Sequence, residues 1–292
     1  MKKIVILGCE NSHANMFLGF IKDNPEYKDI KVIGVFSEDL EASNKLSKEF
    51  GVNVMETFDQ EVGNVDGIIV TARHGKNHYK YAKPYIASGI PMFIDKPVTV
   101  DTDQAIKFMK ECKEAGVVLT GGSSCVHDKF VQELKKDVAE KVDGETLGGY
   151  VVGPVSVDNP YGGFFFYSDH LISITAEIFG RYPKSVKADV KEKTVTVNFN
   201  YGEFNVTTLF TIENAKNYYA LRCSENSVKA SELSINTSSY VFEREFKEFN
   251  DILKGAKQRL SYKDFIATVF IMNAIYRSMQ TGEEVEIKEY EV

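Results

Sequence analysis

The residues Asp95-Lys96-Pro97 stand at the carboxyl end of the apolar run Pro91-Met92-Phe93-Ile94. In open α/β sheets that edge is where ligands bind. An ammonium there can aim at a cofactor or substrate, and the proline after it keeps the lysine backbone extended, so its direction is partly set in advance. Taken alone, the commoner reading is a strand end followed by a solvated lysine. The complementary chemistry belongs to histidine. An imidazole with an ordinary pKa of ~6.5 accepts a hydroxyl proton at neutral pH, while an ammonium beside the same oxygen stabilises the developing alkoxide. His170 follows the aromatic run Phe164-Phe165-Phe166-Tyr167. Such a run is more often core than site, so by itself His170 reads as a buried histidine satisfied by backbone.

The elements that must carry these residues are visible in the pattern. Ile4 to Leu7, Val32 to Phe36, Gly67 to Thr71, Met92 to Ile94 and Val117 to Leu119 read as short strands. Between them run helical stripes: Met16, Phe17, Phe20 and Ile21; Leu40, Leu46 and Phe50; Tyr79, Ala82, Tyr85 and Ile86; and Ala105, Phe108, Met109 and Cys112. Strands alternating with amphipathic helices predict a parallel sheet covered on both faces. The pattern changes after Gly121-Gly122. A helix from Asp128 to about Val142 is followed by strand signals in which Val195, Val197 and Phe199 alternate with Thr194, Thr196 and Asn198. Val206 to Ile212 and Tyr218 to Cys223 continue what reads as an antiparallel meander. A last helix opens near Ser261 and ends at Thr281-Gly282. The fold class is α/β: an N-terminal doubly wound parallel sheet over 1–122, then a C-terminal α+β domain over 123–292 with a mainly antiparallel, open-faced sheet. Alternation leaves one face of that sheet to be covered, which predicts a homodimer or higher homo-oligomer through it.

Of 292 residues, 35 are basic and 42 acidic, a net charge of −7, and no Lys/Arg cluster points to nucleic acid or an anionic membrane. A small-molecule substrate is the expected partner. Cys9, Cys112, Cys125 and Cys223 are scattered without a CxxC pair, and the five histidines lack metal-ligand spacing, so no metal site is expected. The apolar stretch Ile4 to Leu7 is too short for a signal core, which needs roughly 7 to 15 residues, and no segment approaches the ~20 of a membrane span. A cytoplasmic protein is expected.

A strand ending in Gly8 and entering a helix near His13 is where a dinucleotide fingerprint belongs. The six residues are Gly8-Cys9-Glu10-Asn11-Ser12-His13, with only the turn-forming first glycine present. Glu10 brings bulk and negative charge toward a place meant for phosphates. Either Glu10 points away, or Ser12 and the helix amino terminus hold the anion, with His13 helping if protonated. Ser12 also reads simply as a helix cap. After the second strand, Ser37 occupies the position that often carries an acid for the ribose hydroxyls. Serine neither demands nor excludes a 2′-phosphate, so NAD against NADP stays open.

With these motifs in this order, the chain resembles the Gfo/Idh/MocA family of nicotinamide-dependent oxidoreductases over essentially its whole length. Asp95-Lys96-Pro97 matches the family's Glu-Lys-Pro with one conservative change, His78 matches a histidine after a further strand, and Ser278 to Val285 is similar to the family's closing segment. Aligned on His170, the family's Asp-x-Gly-x-His-x-x-Asp becomes Phe166 to Ser173, which keeps the histidine and loses both carboxylates. The resemblance implies a Rossmann-type first domain and an NAD(P)-dependent oxidoreductase acting on a sugar, polyol or related hydroxylated metabolite. It implies Lys96 and His170 as catalytic residues, with Tyr167 and Asp169 beside them and Lys96 itself at the substrate. For the cofactor it implies Gly8, Asn11, Ser12, His13, Ser37, Ala72, His78 and Lys96. Two alternatives remain: a nicotinamide-assisted glycosidase or lyase of the same fold, and a catalytically silent metabolite-binding protein.

Overall fold

The computed structural model describes residues 1–212, 217–236 and 239–292. The chain begins β1 (Lys2–Leu7), α1 (Ser12–Asp23), β2 (Ile30–Phe36), α2 (Leu40–Phe50), β3 (Gly67–Val70), α3 (Lys76–Ile86), β4 (Met92–Asp95), α4 (Thr102–Glu114) and β5 (Leu119–Gly122). These strands form one parallel sheet in the order β2-β1-β3-β4-β5. The winding reverses between β1 and β3, which opens a crevice at the carboxyl ends of the strands. Ile4-Val5-Ile6 and Ile68-Ile69-Val70 are fully buried, as strands covered on both faces must be. Helix ends follow local chemistry: Asp39 caps α2 through Ala42 N at 3.1 Å, and Gly51, at φ 69°, ends it.

The fifth strand differs from the expected Val117 to Leu119. Val117 N still donates to Cys112 O as the preceding helix closes, so pairing starts only at Leu119 and extends through the two glycines to set Gly122 opposite Asp95. A side chain on Gly121 would meet Ile94 O at 2.1 Å. The glycine pair is therefore part of the sheet.

The remaining elements are α5 (Lys129–Ala139), β6 (Thr146–Val155), α6 (Phe164–Phe179), β7 (Ser185–Val190), β8 (Thr194–Asn200), β9 (Asn205–Ile212), β10 (Tyr218–Ser224), β11 (Val228–Leu233), α7 (Tyr240–Leu253), α8 (Tyr262–Phe265), α9 (Ala267–Thr281) and β12 (Val285–Glu286). The second sheet has the order β11-β10-β6-β9-β8-β7-β12. The expected meander is corrected here: β9 and β10 are separated by β6, which runs parallel to β9 and antiparallel to β10. Glycine weakens strand signals, and β6 carries three. Two of them receive neighbours, since a Cβ on Gly149 would meet the Phe179 ring at 2.1 Å and one on Gly153 would meet Leu171 at 2.4 Å. Val195, Val197 and Phe199, with Val206 and Phe210, join the core that α6 and α9 complete. The other face leaves Tyr150 37% and Tyr219 43% exposed.

The chain divides into two compact units, Met1–Gly122 with Phe242–Phe265 and Glu291–Val292, and Ser123–Val241 with Ile266–Tyr290. The expected continuous second domain over 123–292 is thereby corrected. Phe246, Phe249, Ile252 and Leu253 of α7 belong to the core of the first unit. The Phe246 ring lies 5.1 Å from Phe17 and 4.8 Å from Tyr27. Burying each such side chain contributes roughly 1.5–3 kcal/mol, and nothing in the local sequence of α7 says which core receives them.

None of the described helices is long and apolar enough to cross a membrane. Burial pushes the Cys9 thiol up to about 11 and that of Cys112 up to about 12, which keeps both protonated and unreactive.

Candidate active site

Asp95 is the hub of the first unit. It ends β4, is wholly buried, and accepts from Asn11 Nδ2 at 3.1 Å and from Lys96 N at 2.7 Å. His13 Nδ1 lies 2.9 Å from its Oδ2. Burial alone would raise its pKa; His13, then Lys96 and His78, reverse this and hold it at about 2. Asp95 is thus an anion that fixes the loop carrying Lys96, itself only 5% exposed.

His78 is fully buried, with Nδ1 2.8 Å from Pro97 O and Nε2 2.8 Å from Ala72 O. Burial lowers its pKa, against Asp95 and both carbonyls, which raise it. Burial outweighs them, so the neutral ring is favoured, and one tautomer donates to one of the two carbonyls at a time. Expected at the cofactor, His78 instead lies beneath the surface and ties Pro97 to the end of β3. Ala72, likewise buried, lends it a carbonyl. His13 is also drawn inward, 5% exposed, with its ring 5.2 Å from Phe242 and 5.8 Å from Phe17. It takes the place of the third glycine, whose role is close helix packing.

The first loop is built as the turn requires. Gly8 has φ 74°, and a Cβ there would lie 2.4 Å from the Ala72 backbone. Its N–H and that of Cys9 donate to Phe36 O. Glu10 turns toward the ends of β2 and β3, where Oε2 accepts from Ser37 Oγ at 2.7 Å and Oε1 from Arg73 N at 3.0 Å. Asn11 caps α1, and Ser12 is exposed at its first position. A cleft of about 920 Å³ beside this loop is lined by Glu10, Asn11, Ser12, Asp39, Lys45 and Arg73 among others.

Glu245 on α7 escaped the sequence reading. It is fully buried, and neither carboxyl oxygen meets a hydrogen-bond donor among the described residues. Burial first, then Asp95 and Glu248, push it well above the ordinary carboxyl range, with Lys96 opposing. It is a neutral acid in the same cluster as Asp95 and Lys96. The available signal was its position on an apolar stripe, three residues after Phe242 and four before Phe249.

In the second unit His170 is 8% exposed on α6, with Nδ1 2.8 Å from Ser123 Oγ and 3.3 Å from Cys125 Sγ. Ser123 Oγ also accepts from Cys125 N at 3.3 Å. A serine hydroxyl can donate to Nδ1 or accept from it, so the ring keeps its orientation in either protonation state. Ser123 and Cys125 thus both meet the Nδ1 side of the ring. Asp169 is buried and accepts from Ser173 Oγ at 3.1 Å. Tyr167 is 38% exposed, its ring 5.8 Å from that of His170.

Residues 2–123 match the Gfo/Idh/MocA family model, that of an oxidoreductase family with an NAD-binding Rossmann fold. Among solved structures, a myo-inositol dehydrogenase from Corynebacterium glutamicum is 14% identical with a TM-score of 0.81, over 99% of this chain and 100% of that one. A myo-inositol 2-dehydrogenase from Lactobacillus plantarum is 14% identical with a TM-score of 0.83, over 98% and 99%. The WlbA dehydrogenase from Chromobacterium violaceum, solved with NADH and UDP-GlcNAcA, is 16% identical with a TM-score of 0.80, over 99% and 97%. At these identities the likeness is one of fold. No curated protein sequence is a significant match.

Proposed function

We propose, for a chain that belongs through residues 2–123 to the Gfo/Idh/MocA oxidoreductase family, that it is an NAD(P)-dependent oxidoreductase. Its substrate is a sugar, polyol or related hydroxylated metabolite, oxidised at a CH–OH group. The observation that carries this reading is Lys96, buried at the carboxyl edge of a parallel sheet and fixed there by the Asp95 anion.

The residues present fit a dinucleotide. Gly8 makes the close turn that any side chain would block, the first turn of α1 offers N–H groups to an anion, and Glu10 is turned aside by Ser37 and Arg73 N. Gly8, Asn11, Ser12 and Ser37 would hold it. When bound, the nicotinamide supplies a hydride acceptor. Lys96 places an ammonium beside the reacting oxygen, where negative charge develops. His170 takes the hydroxyl proton at Nε2 while Ser123 steadies Nδ1. Tyr167 borders His170 and is open to solvent, which suits contact with a polar substrate.

Calorimetric titration with NAD and NADP, followed by turnover of a polyol and sugar panel by wild type and Lys96→Met, tests this. Nucleotide binding with turnover that falls in the variant supports it. Absence of binding, together with any turnover insensitive to Lys96→Met, contradicts it.

The open face of the second sheet, with Tyr150 and Tyr219 exposed, supports a homodimer or higher homo-oligomer through that face. Light scattering on a Tyr150→Glu, Tyr219→Glu double variant should then report a smaller species. A cytoplasmic location belongs to the same reading and is tested by cell fractionation.

A further inference from the structure

In doubly wound dinucleotide sites an acidic side chain near the end of the second strand accepts hydrogen bonds from the ribose hydroxyls, and its charge opposes a 2′-phosphate. At that position this chain has Ser37, which offers no charge. The carboxylate of Glu10 arrives there from the neighbouring loop, 2.7 Å from Ser37 Oγ. Arg73 N fixes its second oxygen at 3.0 Å, and Ser37 Oγ is itself held by Asp39 N at 3.0 Å. We propose that Glu10, carried on the β1 loop, takes over ribose recognition from the end of β2 and makes the protein selective for NAD over NADP.

The arrangement suits the task. Each carboxylate oxygen has spent one acceptor site on the protein and keeps another for a ribose hydroxyl. Two anchors from the loops after β2 and β3 hold the group in place before ligand arrives, so little ordering remains to be done on binding. Arg73 and Lys45 line the same cleft and bring charge that would welcome a phosphate. Glu10 and Asp39 oppose them, and the Glu10 carboxylate is tied to Ser37 Oγ. The residue that most departs from the glycine fingerprint would thus serve the cofactor it looked set to repel.

This inference rests on the dinucleotide reading above, and its test separates the two. Isothermal calorimetry is run with NAD and with NADP on wild type, Glu10→Gln and Glu10→Asp, with thermal melting as the folding check. Wild type should bind NAD roughly 10- to 100-fold tighter than NADP, the worth of a charge-assisted hydrogen bond. Glu10→Gln should narrow that ratio at least tenfold by gaining NADP affinity. Glu10→Asp keeps the charge and shortens the reach, so it should lose NAD affinity while still rejecting NADP. A wild type that binds both equally or prefers NADP overturns the proposal, as does a ratio unchanged in Glu10→Gln. If wild type binds neither dinucleotide, the parent reading falls as well.

Discussion

Lys96 and His170 are both nearly buried basic side chains, yet the protein holds them by opposite means. Around Lys96 it gathers titratable groups: ionised Asp95, the rings of His13 and His78, and the neutral acid Glu245. Around His170 it gathers weakly polar groups: Ser123, Cys125 and the Tyr167 ring. A lysine asked to stay cationic in a dry place needs a fixed anion nearby. A histidine asked to gain and lose a proton is better served by a partner, such as a hydroxyl, that tolerates both states. With the proposed roles, the contrast fits a carboxylate beside Lys96 and Phe166 and Ser173 where the resembling family has carboxylates around His170.

Removing the anion should have the largest effect. Asp95→Asn keeps the shape but removes the buried negative charge beside Lys96, which should cost about 3–5 kcal/mol in chemical denaturation. The pH dependence follows in sign. Because Asp95 is held at about 2, its contribution is complete above the ordinary carboxyl range and is lost as pH falls toward 2. Acid should therefore narrow the gap between wild type and Asp95→Asn.

Next in size, His170→Asn should lower kcat by ~10²–10⁴ if the ring is the proton acceptor. Ser123→Ala, which leaves the ring present but unsteadied, should cost only about tenfold, the worth of one hydrogen bond, and should shift the pH–rate profile. An equal loss in both variants would erase the distinction drawn between the residues.

The smallest effect is one of slope. Glu245 has a raised pKa, so the folded state holds its proton more tightly than the unfolded chain does. Stability should fall as pH rises from the ordinary carboxyl range toward the shifted value. Glu245→Gln, lacking the proton to lose, should be flatter over that window in melting temperature against pH. A parallel pair of curves would mean that the burial of Glu245 carries no charge penalty.

Much of this frame was legible in the sequence. The β-branched runs announced the first sheet, and Pro97 after Lys96 marked a strand end with a directed side chain. Gly8 stood where the turn demands it. What escaped depended on distant partners. That α7 returns to the first unit is decided by Phe17, Phe93 and Tyr27, more than a hundred residues away along the chain. Glycine-rich β6 shows little strand propensity and gains its place from Phe179 and Leu171. Glu245 looks like a surface residue until the stripe on which it sits is followed. The histidines were the least readable: His13 and His78 have the right type and position for a cofactor, but Asp95 and two backbone carbonyls draw them inward.

The role proposed for Lys96, fixed by Asp95, is to assist oxidation of an alcohol by bound nicotinamide. Its most direct test is the rate at which a sugar or polyol reduces NAD on wild type and on Lys96→Met, followed by nicotinamide absorbance with nucleotide affinity measured in parallel. The prediction is a loss of ~10²–10³ in kcat with NAD affinity changed only a few-fold, as for removal of a group that stabilises the developing charge. Equal rates in the two proteins would contradict it.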